Sequence, residues 1–275
     1  MKLKNLYKHD NKKQIWRILP TANKKLVIEE RDASTKEVFF NCLEIESGKK
    51  NFKDFQLDEK SWIGIESIYN DIIFFHAYGK PDMPAHKSII AFDIKSQTIL
   101  WLNDSYVFAF VFDGKVYCYQ QRFESRVFFA LDYLTGNVIE DMGNDALTIN
   151  NLKEKSEEEF YEQNYFFPEY FNRNSPVENE GQNYLSNVLT KNVIKGEISY
   201  LKFKDLLLFS YHEVSKSNTI NNIFVVVDLS KNKIILKEIL DKSLSSLMPE
   251  SFFVKNEFLF LIVDKTKLLV YKIIE

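Results

Sequence analysis

One pattern recurs four times along this chain and restricts its fold more than any other feature: a β-rich run closing on an acidic residue, then a polar turn and a second β-rich run. The copies read Phe39-Phe-Asn-Cys-Leu-Glu44-Ile-Glu-Ser-Gly48, Ile89-Ile-Ala-Phe-Asp93-Ile-Lys-Ser-Gln97, Phe128-Phe-Ala-Leu-Asp132-Tyr-Leu-Thr-Gly136 and Phe224-Val-Val-Val-Asp228-Leu-Ser-Lys-Asn232. Aromatic and β-branched residues fit a pleated, half-buried surface. The Gly, Asn, Ser and Lys that follow each acid suit a tight turn with unusual φ. Each copy is therefore a hairpin.

Successive acidic positions are 49, 39 and 96 residues apart, so the last step is close to double. A second hairpin precedes each of three copies: Ile63 to Tyr78 turning at Asn70-Asp71, Tyr106 to Gln121 at Asp113-Gly114, and Ile198 to His212 at Lys204-Asp205. Ile15 to Asp32 and Phe252 to Asp264 fit the same plan, with Leu268 to Ile273 as a further strand. Four antiparallel strands in roughly 40 to 49 residues is the period of a propeller blade. The fold expected is an all-β propeller of four-stranded antiparallel blades, six or alternatively five, in a single domain over residues 1–275. Residues 141–196 are either a degenerate blade or an irregular, partly helical insertion, with a helix over 152–163. The doubled spacing favours six blades. The last module stops after its third strand, so Leu3 to Tyr7 should supply the fourth by pairing with residues 267 to 273.

Phe92-Asp-Ile-Lys-Ser96 and Leu131-Asp-Tyr-Leu-Thr-Gly136 resemble blades of WD-repeat and quinoprotein-like propellers. The Trp-Asp dipeptide of the first kind is absent, so its partners do not carry over. The Leu-Asp-x-x-Thr-Gly wording of the second specifies a turn, and no cofactor is implied. Ile15-Trp-Arg-Ile-Leu-Pro20, Glu30-Arg-Asp32 and Ser210-Tyr-His-Glu213 are similar to a bacterial propeller-like family of unknown function, a likeness that implies no activity.

With 45% apolar residues, 8 Gly and 6 Pro, the chain has the material for a packed core. Its net charge of -3 offers no cationic field for a phosphate backbone, so no nucleic-acid partner is expected. The longest apolar runs, Val107 to Phe112 and Phe258 to Val263, are far below the roughly 20 residues that span a bilayer. The opening residues carry no secretory signal pattern, and Cys42 and Cys118 read as buried hydrophobes. A cytoplasmic monomer with no membrane association is the expectation. There is no Gly-x-Ser-x-Gly, GxxxxGK or GxGxxG, so no nucleophile or phosphate loop is indicated and no cofactor is expected.

Loops after second strands open on one end of a propeller, and the residues at those strand ends are Asp32, Tyr78, Arg122, His212 and Asp264, with Glu30 and His76 two residues earlier in their strands. They are the candidates for ligand or partner contact. Tyr165, Phe167 and Tyr170, from an aromatic run in the irregular segment, are candidates for a lid or docking surface, or else for a plug. His76 and His86 flank one loop without matching a zinc signature, so no metal is expected. The functional expectation is a non-enzymatic binding or scaffold propeller for a protein or small molecule. The alternative is a hydrolase with carboxylates and histidines converging at the central mouth.

Overall fold

The computed structural model of the protein describes residues 1–80, 83–162, 164–172, 179–215, 217–248 and 251–275. The chain divides into two compact units, residues 13–163 and residues 1–12 with 164–275.

After strand β1 (Lys2–Asp10), the first of these units holds three four-stranded antiparallel blades. Blade one is β2 (Gln14–Pro20), β3 (Lys25–Arg31), β4 (Val38–Glu44) and β5 (Lys50–Phe55). Blade two is β6 (Ile63–Tyr69), β7 (Ile72–Lys80), β8 (Met83–Asp93) and β9 (Thr98–Asn103). Blade three is β10 (Val107–Phe112), β11 (Lys115–Gln121), β12 (Arg126–Asp132) and β13 (Val138–Gly143), followed by helix α1 (Ala146–Glu162). The strands of each blade pair in sequence order. Both faces of a blade are apolar, so blades stack: Phe40, Phe52, Phe75 and Phe92 form one layer between blades one and two. Phe74, Trp101, Phe108 and Val116 form the next, between two and three.

The second unit contains the two-residue strands β14 (Tyr165–Phe166) and β15 (Glu169–Tyr170), helix α2 (Asn179–Lys191) and blade four, which is β16 (Ser199–Phe203), β17 (Leu206–Val214), β18 (Ile220–Asp228) and β19 (Lys233–Leu244). Blade five is β20 (Phe252–Lys255), β21 (Phe258–Val263) and β22 (Lys267–Ile274), completed by β1. The predicted latch is present, with Leu3 opposite Ile273, Asn5 opposite Tyr271 and Tyr7 opposite Val270. His9 is buried on this strand opposite Leu268.

The protein is thus all-β and of propeller type with five blades among the described residues, which corrects the preference for six. The doubled spacing before Asp228 comes from an insertion, because the segment between β13 and β16 lacks apolar alternation and forms two helices. Helix α1 starts earlier than expected, where the Asp145 carboxylate accepts the Thr148 N–H at 3.1 Å and caps it.

The hairpin turns obey the sequence. Asp93 accepts the N–H groups of Lys95 and Ser96, Asp132 those of Leu134 and Thr135, and Asp228 that of Lys231. Gly136 is positive in φ, and a Cβ there would lie 2.6 Å from the Trp101 indole. Glycine is required on both counts. No helix among the described residues is long and apolar enough to cross a membrane.

Candidate functional site

The densest unexplained polar grouping lies within blade two. Glu66 on β6, His76 on β7 and His86 on β8 place one ligand atom each within 4.8 Å of one another. Glu66 Oε1 lies 2.6 Å from His86 Nδ1 and 3.1 Å from His76 Nδ1. The two imidazoles are stacked face to face, with centroids 3.6 Å apart and planes within 6°. His76 is only 1% exposed, and neither of its ring nitrogens makes an aligned hydrogen bond among the described residues. Burial works to raise Glu66, but the close approach of the His76 and His86 ring nitrogens outweighs that and holds its carboxyl below the ordinary range.

Local structure explains the convergence. A bulge between Ile65 and Ser67 makes Glu66 an extra residue in the β6–β7 ladder, and bulges re-aim side chains. Gly64 stands opposite His76, and a Cβ there would meet the imidazole at 3.0 Å, so glycine makes room for the ring. Tyr78, on the same face as His76, packs edge-on to both imidazoles at 4.9 and 5.3 Å. It also lines a cavity of about 260 Å³ with Trp62, Lys87, Ser88 and Asp104.

Blade one holds the bulge in place. Glu29 is fully buried, accepts the Ile65 N–H at 3.2 Å through Oε2, and pairs through Oε1 with Arg31 at 3.0 Å. Arg17 donates to the Ile65 carbonyl. The Arg31 guanidinium rests on Trp16, 4.5 Å from the ring centre. The backbone on the N-terminal side of Glu66 is therefore clamped by a neighbouring blade.

Of the residues expected at one rim, His76 and Tyr78 come together; the others serve elsewhere. Glu30 is fully buried within blade one, accepting from Asn41 Nδ2 at 3.0 Å. Asp32 and Asp264 fall one residue past their strands. Asp32 is lowered to about 2, chiefly by bonds from Ser34 and Thr35, while Asp264 is paired with Lys267. Arg122 is exposed beside Gln120. His212 is buried, accepts the Met248 N–H at 3.0 Å, and is lowered by burial. Glu66 was not anticipated, and His86 was noted only as flanking one loop with His76, with no metal expected there; the structure brings both to His76. The pairing of His86 with Tyr78 across β7 and β8 was a readable signal, whereas the bulge that brings Glu66 was not.

The aromatic run is an internal tie. Tyr165–Phe166 pairs with β20 and Glu169–Tyr170 with β16, so the run bridges the free edges of blades five and four. Tyr165 and Phe167 pack at a tilt against Phe253, which stacks on Phe260. Tyr170 stays exposed. Above Tyr165, at 4.0 Å, sits the ammonium of Lys255, a buried residue with no carboxylate in ion-pair range among the described residues. Burial lowers it to about 8. The folded value lies below the unfolded one, so the unfolded chain binds more protons between about 8 and 10.5 and stability rises with pH across that window. Replacing Lys255→Met should stabilise the protein at pH 7 by on the order of 3 kcal/mol and abolish that rise relative to wild type. Denaturant melts at pH 7 and pH 10 check this, and a variant less stable at pH 7 would refute it.

The fold and this cluster define a class: an all-β protein of propeller type carrying a histidine–carboxylate cluster inside one blade. Residues 19–101, which span the cluster, match the model of a family described as a domain of unknown function (DUF4905). No curated protein matches the chain. Among solved structures, the chain is similar to BamB from Moraxella catarrhalis, at 9% identity and TM-score 0.34 over 98% of this chain and 99% of that one. It is similar to a DUF4221 family member from Bacteroides vulgatus, at 10% identity and TM-score 0.36 over 98% and 97%. A third is the quinohemoprotein alcohol dehydrogenase from Comamonas testosteroni, at 9% identity and TM-score 0.32 over 96% of this chain and 44% of that one.

Proposed function

We propose that the protein is a non-enzymatic binding propeller whose ligand site is the Glu66–His76–His86 cluster, with Tyr78 and Trp62 between it and the adjacent cavity. One observation carries the reading: His76 is buried with both ring nitrogens lacking aligned hydrogen bonds. An unsatisfied buried polar group costs about 1 to 3 kcal/mol, a cost that folding alone does not justify. Such sites persist where a ligand supplies the missing partner.

The reading predicts a trade of stability against binding. His76→Phe keeps an aromatic ring, a somewhat larger one, stacked on His86 while removing both unsatisfied nitrogens. Its melting temperature in the absence of ligand is expected to rise by a few degrees, since about 1 kcal/mol corresponds to roughly 2 to 4 °C in a chain of about this size. A structural hydrogen-bonding role for His76 would give the reverse. A drop of several degrees in a thermal melt would therefore remove the cluster as a binding site.

A further inference from the structure

Resting on that reading of blade two, we infer that the site takes a divalent transition-metal cation, with Glu66 Oε1, His76 Nδ1 and His86 Nδ1 as its protein ligands. The Nδ1 atoms of two stacked imidazoles lie 3.1 and 2.6 Å from one carboxylate oxygen. Hydrogen bonding satisfies this arrangement only in part. The His86 contact is an aligned hydrogen bond, while His76 reaches ion-pair distance without the alignment of one. Lone pairs of parallel rings 3.6 Å apart do not converge, so a cation would turn the two imidazoles out of their stack and then satisfy all three atoms at once.

The donor set agrees with this class of ion. Two imidazole nitrogens and one carboxylate suit zinc and neighbouring first-row metals, whereas magnesium and calcium prefer oxygen. Ligand distances of about 2.0 to 2.2 Å in a tetrahedral site set donor atoms roughly 3.3 Å apart. Reaching that spacing takes a withdrawal of Glu66 Oε1 from His86 Nδ1 by less than about 1 Å, together with the turning of the two rings. The three ligands come from three adjacent strands of one sheet, a rigid support. Glu66 is on a bulge clamped through Ile65 by Glu29 and Arg17. His86 is about one-third exposed, and it gives the ion a route in. Three protein ligands leave a fourth position for water or a ligand donor.

The test is a zinc titration of the full chain after chelator treatment, in competition with a chromophoric chelator, on wild type, Glu66→Gln and His86→Ala. The expected result is one zinc per chain in wild type, with affinity weakened by roughly 100-fold in either variant. Magnesium should not compete. Histidine ring nitrogen resonances assigned to His76 and His86 should both move with zinc. His86 is partly exposed, so His86→Ala tests the site without emptying a core position. No zinc binding, or equal zinc binding by wild type and both variants, overturns the inference. If zinc fails while His76→Phe is stabilised, the metal assignment falls and the binding site stands; if His76→Phe is destabilised, the underlying reading falls.

Discussion

Deleting residues 1–10 is expected to lower the melting temperature by more than about 10 °C, or to abolish a cooperative transition in the second unit altogether. The deletion removes β1, which pairs with β22 from Lys2 opposite Ile274 to Asp10 opposite Lys267. It uncovers a strand whose Leu268, Val270, Tyr271 and Ile273 are buried, and it strips Leu3 from the core that blades four and five share. A lost ladder hydrogen bond costs about 1 kcal/mol and buried apolar surface about 25 cal/mol per Å², so a loss of at least about 4 kcal/mol follows. The exposed edge is also a template for association. A peptide of residues 1–12 added in trans should restore part of the transition. A truncated chain that melts within a few degrees of wild type would show that β1 has no structural part in blade five.

Glu29→Ala should cost about 3 to 5 kcal/mol, the range for breaking a buried ion pair by removing one partner. The carboxylate is fully buried, so its loss leaves the Ile65 N–H without an acceptor and Arg31 without its counter-charge. Denaturant unfolding measures the loss. In a double-mutant cycle with Arg31→Ala, the pair should show coupling above about 1 kcal/mol. Because the same carboxylate clamps the backbone next to Glu66, the variant should also weaken zinc binding, although Glu29 contributes no ligand. A loss below about 1 kcal/mol would mean that the clamp is redundant with Arg17.

Local chemistry made much of the fold readable. Asn70-Asp71, Asp113-Gly114 and Asn256 adopt the positive φ that their hairpins require, and Asp93, Asp132 and Asp228 tie their own turns. The latch followed from counting strands. Helix α2 was not readable, because its 13 residues include Gly181 and several Asn, and its Tyr184, Leu185 and Val188 are organised by packing on blade four. The site was half readable: His76 and Tyr78 stood out by strand alternation, while Glu66 was one carboxylate among the 39 Asp and Glu of the chain.

By itself, then, the sequence determined the class of fold, the blade hairpins and the pairing of residues 3–7 with the last strand, since period, strand propensity and turn chemistry act over a few residues. Tertiary structure alone decided that the described residues form five blades and that the aromatic run ties two blade edges. It alone brought Glu66 to the two imidazoles. A bulge has no sequence signature, and this one is held open by Glu29 and Arg17 from another blade, 36 and 48 residues from Ile65 along the chain. Contacts at that range depend on the register of whole sheets, and no local pattern encodes it.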